Sequence, residues 1–316
     1  MTPKHKKFDE FEKFNESKDE MLQYYRNQSP ITDPRNYSDF YEDLSTNIPD
    51  LCQIIHNVIV HIFWLQEYGM RLSDLKDQKR NINKELNQRP IHEKLSTIFS
   101  LKDEPLTERR EPNTRVLGNC RDYSVLLASI LRYKGISARV RSGVSRYFFP
   151  PPKDFHEDHF ICEYWHPDDQ RWVMVDSQID EIQNKTVKVK INLHDIPSDQ
   201  FLNAGQAWIK FREGKVKPKK IGLSGSKWVG ERFLIDKLIQ DFACLNKVEV
   251  LAWETWGICD LKRKLNPDEY EELDMLASKI SCLSDTKIFA DLKNTFKQNN
   301  LFKIPENYQP SFEKFV

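Results

Sequence analysis

The sequence predicts an α+β fold: one apolar helix packed on an antiparallel β-sheet, with additional helices toward the C-terminus. Three observations carry this. A helix-spaced apolar face runs through Tyr123, Leu126, Leu127, Ile130 and Leu131 and stops at Gly135. Three segments with alternating or near-continuous apolar character follow: Ala138–Val144, His159–Trp165 and Arg171–Asp176. Beyond about residue 185 the apolar spacing is helical again.

Taken in order, residues 1–35 are charged and sparsely apolar up to Pro34, which reads as an extension or a loosely docked arm. Residues 36–185 read as the core and 186–316 as a mainly helical region packed on it. A helix opens after Pro49, with Leu51, Ile54, Ile55, Val58, Ile62 and Leu65 on one face and Gly69 as its C-cap. A polar helical stretch over about 71–88 ends before Pro90. Lys102–Arg115 is charged and holds Pro105 and Pro112, so it reads as a loop delivering the chain to Gly118. The apolar helix begins at about Cys120. In the C-terminal region, Phe201–Phe211 and Phe233–Leu245 read as helices. Another opens at Asn266-Pro267-Asp268-Glu269, an N-cap with Pro at N1 and Glu at N3, and the last lies near Ile288–Phe296. The sequence holds no internal repeat.

The bulk properties narrow the function classes. Lys plus Arg equals Asp plus Glu at 48 each, so no global charge draws the chain to nucleic acid or to an anionic membrane; neither is expected as a partner. No segment approaches the roughly 20 apolar residues that cross a bilayer. No apolar signal core follows the charged residues Lys4–Lys7, and a cytoplasmic location is expected. The six cysteines lie far apart, with no C-x-x-C pair, and read as free thiols.

One of those thiols stands apart. Gly118-Asn119-Cys120-Arg121-Asp122 directly precedes the apolar helix. A cysteine at a helix start faces unpaired N–H groups and the positive end of the macrodipole, and Arg121 adds a neighbouring cation; all favour thiolate, the nucleophilic form. The structural alternative is a buried helix-start residue. His159 opens the second strand, where a general base would stand. Asp176 closes the third. Pairing residue 165 with 170 across the loop His166-Pro167-Asp168-Asp169 sets 163 opposite 172, 161 opposite 174 and 159 opposite 176. Directly opposed residues share a face of the sheet. Asp176 would then orient the His159 imidazole as the carboxylate of a catalytic triad does. His156, His159 and Cys162 follow an H-x-x-H-x-x-C spacing. Residues three apart on a strand point to opposite faces, however, so no metal and no cofactor is expected. Between the first two strands, Ser145–Lys153 carries Tyr147, Phe148 and Phe149 ahead of three prolines. It reads as a loop forming an aromatic substrate wall, with core packing as the alternative. Trp165 is a further candidate for substrate contact.

The run G-N-C-R-D-Y-S-V-L-L-A-S-I-L-R-Y-K-G, then D-H-F-I-C-E-Y-W, then R-W-V-M-V-D resembles the transglutaminase-like superfamily. The likeness to a bacterial subfamily runs on through Ala204–Gly214 and Leu245–Trp253. The resemblance implies a papain-like or transglutaminase-like core with Cys120 as nucleophile, His159 as general base and acid, and Asp176 as orienter. It implies cysteine-dependent acyl transfer or amide hydrolysis through a thioester, on a peptide, protein or small amide substrate. It leaves hydrolysis against transamidation, and oligomeric state, open. The alternative classes are an inactive transglutaminase-like binding module and a scaffolding protein; the full Cys, His, Asp set speaks against both. The cysteine pairs of the zinc domain in typical peptide N-glycanases do not occur, which argues against that assignment. No upstream side chain stands out as completing an oxyanion hole.

Overall fold

The elements, in chain order, are those of a helix-on-sheet core wrapped by further helices. The computed structural model describes residues 17–149, 153–260, 263–282, 286–299, 302 and 304. Helix α1 covers residues 17–26. Helix α2 (Ile48–Val58) is capped by the Asn47 side chain, with Pro49 in its first turn. Strand β1 (Ile59–His61) and a 3₁₀ turn, Ile62–Tyr68, follow. Helices α3 (Leu72–Asp77), α4 (Ile82–Leu86) and α5 (Ile91–Leu101) lead to strand β2 (Val116–Gly118) and helix α6 (Cys120–Tyr133). Strands β3 (Ala138–Phe149), β4 (Phe155–His166) and β5 (Arg171–Val175) come next, then α7 (Glu181–Val187), β6 (Phe201–Asn203), α8 (Ala204–Arg212) and β7 (Ile221–Gly222). Helices α9 (Glu231–Leu245), α10 (Pro267–Ser281) and α11 (Thr286–Gln298) complete the described chain.

The main sheet has the order β5-β4-β3-β6, antiparallel throughout, with β7 added parallel to β4 at residues 156–157. Helix α6 is buried from Cys120 to Arg132. Its Val125, Leu126, Leu127 and Ile130 share one core with Val140, Phe160, Cys162, Val173 and Val175 of the sheet. Each such side chain contributes about 1.5–3 kcal/mol when fully buried. The sheet and α6 are therefore a rigid platform, and the predicted helix on an antiparallel sheet is what forms. At Gly143 β6 passes so close that a Cβ would lie 2.2 Å from the Leu202 carbonyl oxygen, so only glycine fits there.

Several expectations are corrected. The helix expected to continue to Leu65 ends at Val58. The β-branched run Val58-Ile59-Val60 leaves the helix and pairs in parallel with Val116–Gly118, placing His61 beside Gly118. The expected Gly69 stop is present at φ +71°. The polar stretch at 71–88 forms two short helices, and α5 after Pro90 was not anticipated. Phe201–Asn203 is an edge strand, and only from Ala204 is that segment helical. Tyr147, Phe148 and Phe149 do not form a loop: they extend β3, with Phe149 paired to Phe155 across an irregularity after Ser145. The three prolines at 150–152 lie outside the described residues.

The part of the expected arm that is described, 17–35, packs into the core. Met21, Leu22 and Tyr25 are buried, and the Tyr25 hydroxyl donates to the Leu245 carbonyl at 2.9 Å. Ser29, Thr32, Arg132 and Glu249 form one buried cluster: Arg132 donates to Glu249 and Thr32, and Ser29 donates to Glu249, all within 2.9 Å. A few apolar residues on one helical face sufficed for docking despite the surrounding charge. Residues 1–16 lie outside the described residues.

Candidate active site

The start of α6 is built to hold one residue. Asn119 and Asp122 form a reciprocal cap: the Asn119 side chain accepts from the Arg121 N–H at 3.0 Å, and Asp122 accepts from the Asn119 N–H at 3.0 Å. Gly118 has no room for a side chain, since a Cβ would lie 2.9 Å from Ile59 Cγ2 and 3.0 Å from Asp122. Lys94 stands 3.5 Å from Asp122 in the interior. Arg121 is not at the thiol's side. It turns inward, donating to Asp122 and to the carbonyls of Arg89, Glu249 and Val250. Its role is to tie the helix start to the segment 249–250, a correction to the neighbouring cation expected above. Cys120, thus fixed, is 8% exposed and lines a cleft of about 360 Å³.

His159 and Asp176 meet at the other wall. The β4–β5 register is shifted by two residues from the expected one: Trp165 pairs with Trp172, and Glu163 with Met174. The loop is Pro167–Gln170, because Gln170 takes a left-handed conformation (φ +52°) and His166 stays in the ladder with Arg171. A shift of two preserves the face, since side chains alternate with period two. Asp176 therefore remains on the face of His159, as a diagonal neighbour, and the His159 Nε2–Asp176 Oδ2 distance is 2.9 Å. The same Oδ2 accepts from the Tyr147 hydroxyl at 2.8 Å, and Oδ1 accepts from the Gln178 N–H at 2.8 Å. Cys120 and His159 line the same cleft, close enough for Cys120 to raise the His159 pKa. With Nε2 committed to Asp176, Nδ1 is the ring nitrogen left for the thiol.

The electrostatics follow from this arrangement. Burial works against the His159 imidazolium, but the Asp176 charge, its hydrogen bond and Cys120 outweigh it and raise the pKa to about 10. Burial likewise works against the Asp176 carboxylate; the His159 charge and the three hydrogen bonds hold it below the ordinary range. Burial and the adjacent Asp176 charge push the Tyr147 phenol well up, which keeps it a donor. Phe148 meets the His159 ring edge-on at 5.0 Å between centroids.

The expected substrate residues separate into three groups. Phe148 and Phe149 line the cleft, with Phe63, Trp64 and Trp253. Tyr147 is buried behind it as a ligand of Asp176. Trp165 shares the face of His159, but six residues along the strand, about 20 Å away at 3.3 Å per residue. It packs on Trp172 and lines a separate cavity of about 520 Å³ with Lys18 and Gln170. That cavity is larger, yet it holds neither Cys120 nor His159.

The cleft also holds residues that sequence reasoning passed over. Glu157 accepts from the Ser224 N–H at 3.1 Å, and burial pushes its carboxyl up to about 7 against the pull of that bond. Asp158 is paired with Lys237 at 2.6 Å. The Leu223–Ser226 loop, set by β7, closes one wall. The position of Glu157, two residues before His159 on the same face, was a signal available in the sequence. His61 lines the cleft as well. Among the described residues, no group of three or more His, Cys, Asp or Glu is placed to hold a metal ion, and no helix is long and apolar enough to cross a membrane.

A buried helix-start cysteine, a histidine on an antiparallel strand and a carboxylate closing the next strand thus stand together. Residues 88–177 match the family model of the transglutaminase-like superfamily and form a transglutaminase-like domain. No curated protein matches the chain. A solved structure from Cytophaga hutchinsonii, provisionally described as a cysteine protease, is similar at 16% identity with a TM-score of 0.32. The match covers 58% of this chain and 45% of that one, so it spans less than half the length of that protein.

Proposed function

We propose that the protein is a cysteine-dependent enzyme of amide or ester carbonyls, with Cys120 as nucleophile, His159 as acid and base, and Asp176 as the group that orients and charges His159. The observation that carries this reading is the hydrogen-bonded chain from Tyr147 and Gln178 through Asp176 to His159, which lines one cleft with Cys120. In acylation the Cys120 sulfur forms a bond to the carbonyl carbon and the carbonyl π pair moves to oxygen. Collapse re-forms the carbonyl and breaks the bond to the amine or alcohol, which leaves with the proton of the His159 imidazolium. A thioester remains. Water or an amine, deprotonated by His159, then attacks it and releases an acid or a new amide, and the proton remains on His159, restoring the starting pair with Cys120. The aromatic wall of Trp64, Phe148, Phe149 and Trp253 suits an apolar acyl group and limits water at the thioester.

The charge on His159 gives the test. Its pKa is raised from the ordinary 6.5 or so, so the cation persists through neutral pH and is lost only as pH rises through about 10. The stability that its pairing with Asp176 contributes follows the same window: it is full below about 6.5 and lost as pH rises through the folded value. Anionic iodoacetate should therefore alkylate Cys120 faster, relative to neutral iodoacetamide, than it alkylates a free thiol. That preference should fall away as pH passes about 10. A ratio equal to that of glutathione at every pH would contradict a His159 cation beside Cys120.

A further inference from the structure

We propose that Glu157 makes the cleft selective for an acyl group whose apolar stem ends in a cation, the side chain of a lysyl or arginyl residue, with the carboxylate as its counter-charge. The inference rests on the proposed attack by Cys120 and names the class of acyl donor that the attack serves.

The first observation is a missing partner. A charge held away from water is costly unless a counter-charge meets it. The buried carboxylates of Glu85, Asp122, Glu163, Asp241, Glu249 and Glu254 each meet an arginine. Glu157 is 8% exposed and has no ion pair among the described residues. Its two oxygens share the single Ser224 N–H, at 3.1 and 3.2 Å. Asp236 is also buried without an ion pair, but it accepts from the Trp228 indole at 2.7 Å and lines a different pocket. Burial pushes the Glu157 carboxyl up to about 7 against the Ser224 bond and the His159 charge, so an ionised Glu157 gains from any cation that reaches it.

The second observation is position. Glu157 lines the cleft with Cys120 and His159. The β3–β4 ladder pairs Phe149 with Phe155, which makes Phe149 the diagonal neighbour of Glu157, about 7–8 Å away. Phe148 and Phe149 form an apolar wall for a chain of methylenes, and the carboxylate stands beside that wall. Lysine and arginine side chains bind in this way, stem on apolar surface and head on a polar partner, and aromatic faces attract the cation as well. The third observation is the charge inventory. Among the described residues lining the cleft, none is lysine or arginine. Lys237 meets Asp158 at 2.6 Å and His159 meets Asp176 at 2.9 Å, which leaves Glu157 uncompensated. Holding the Ser224 N–H needs only an oxygen, which a glutamine would supply; the charge is what calls for an occupant.

The test compares the Nα-acetyl p-nitrophenyl esters of lysine, arginine and norleucine, the last being the lysine side chain without its ammonium. Release of p-nitrophenolate gives kcat/KM for acylation, and mass spectrometry places the acyl group on Cys120. The wild-type protein should favour a cationic ester over the norleucyl ester by about 10- to 100-fold, the range of a hydrogen bond to a charged group. The lysyl and arginyl arms tell an ammonium from a guanidinium, and a preference for either supports the inference. In Glu157→Gln, which keeps an acceptor for Ser224, the ratio should fall to about one. Glu157→Asp, with the charge kept but withdrawn by one methylene, should retain part of it. A wild-type ratio near one would overturn the inference. So would a ratio that persists in Glu157→Gln while all three rates fall together, the behaviour of a residue that only anchors the Leu223–Ser226 loop. If none of the esters acylates Cys120, the proposed function itself fails; acylation without charge preference leaves that function standing and removes only the role of Glu157.

Discussion

Asp176→Asn should lower the rate of Cys120 acylation by p-nitrophenyl acetate on the order of 10³-fold or more while the protein stays folded. The carboxylate accepts from His159 and Tyr147 on one oxygen and from the Gln178 N–H on the other. An asparagine keeps the Gln178 bond through its carbonyl but turns an NH₂ toward the tyrosine and the imidazole. Two buried donors then face a third, each costing about 1–3 kcal/mol. The imidazole loses the negative charge that raises its pKa and is free to take the other tautomer, with its acceptor nitrogen toward the new amide. Stopped-flow release of p-nitrophenolate measures the effect, and circular dichroism confirms the fold. An Asp176→Asn variant with the wild-type rate would make Asp176 a structural residue of the sheet end and nothing more.

Cys120→Ala should remove covalent turnover, a loss on the order of 10³-fold or more for a nucleophile that forms the intermediate itself. The substitution is small and involves none of their atoms, so the Asn119–Asp122 cap and the inward contacts of Arg121 survive. Cys52, Cys162, Cys244 and Cys259 are buried, and burial pushes each thiol upward, so none substitutes for the missing sulfur. Cys282 is exposed and lines the distant cavity near Trp165. Residual burst acylation at wild-type rate in Cys120→Ala would place the nucleophile elsewhere.

The sequence carried the fold wherever one local pattern decided it. The helix from Cys120, the three strands and the Asn266 cap of α10 follow from apolar spacing and capping chemistry that later packing does not oppose. The His159–Asp176 pairing was reached through a register wrong by two residues. It held because an even shift keeps both side chains on one face, whereas a shift by one would have separated them. Elements set by tertiary partners were not legible. Ile59–His61 continues a helical apolar face and becomes a strand only because Val116–Gly118 lies beside it. Tyr147–Phe149 looked like a cleft loop, since nothing in the sequence says that β3 extends past Ser145 to pair Phe149 with Phe155. For the same reason Tyr147 was read as substrate-facing when it binds Asp176, and Trp165 was assigned to a cleft that β4 carries it away from. The buried cluster of Ser29, Thr32, Arg132 and Glu249 joins segments more than two hundred residues apart, which no local window reads.

The central claim is that Cys120 carries an acyl group. It is tested most directly by incubating the wild-type protein with a library of peptide amides and esters, quenching in acid and mapping acyl adducts over all six cysteines by mass spectrometry, with and without an added primary amine. The account predicts a thioester on Cys120 alone, absent from Cys120→Ala, accumulating in Asp176→Asn only slowly, and discharged by water or by the amine. An adduct on the exposed Cys282 in place of Cys120, or no adduct on Cys120 with any acyl donor while the protein is folded, would contradict it.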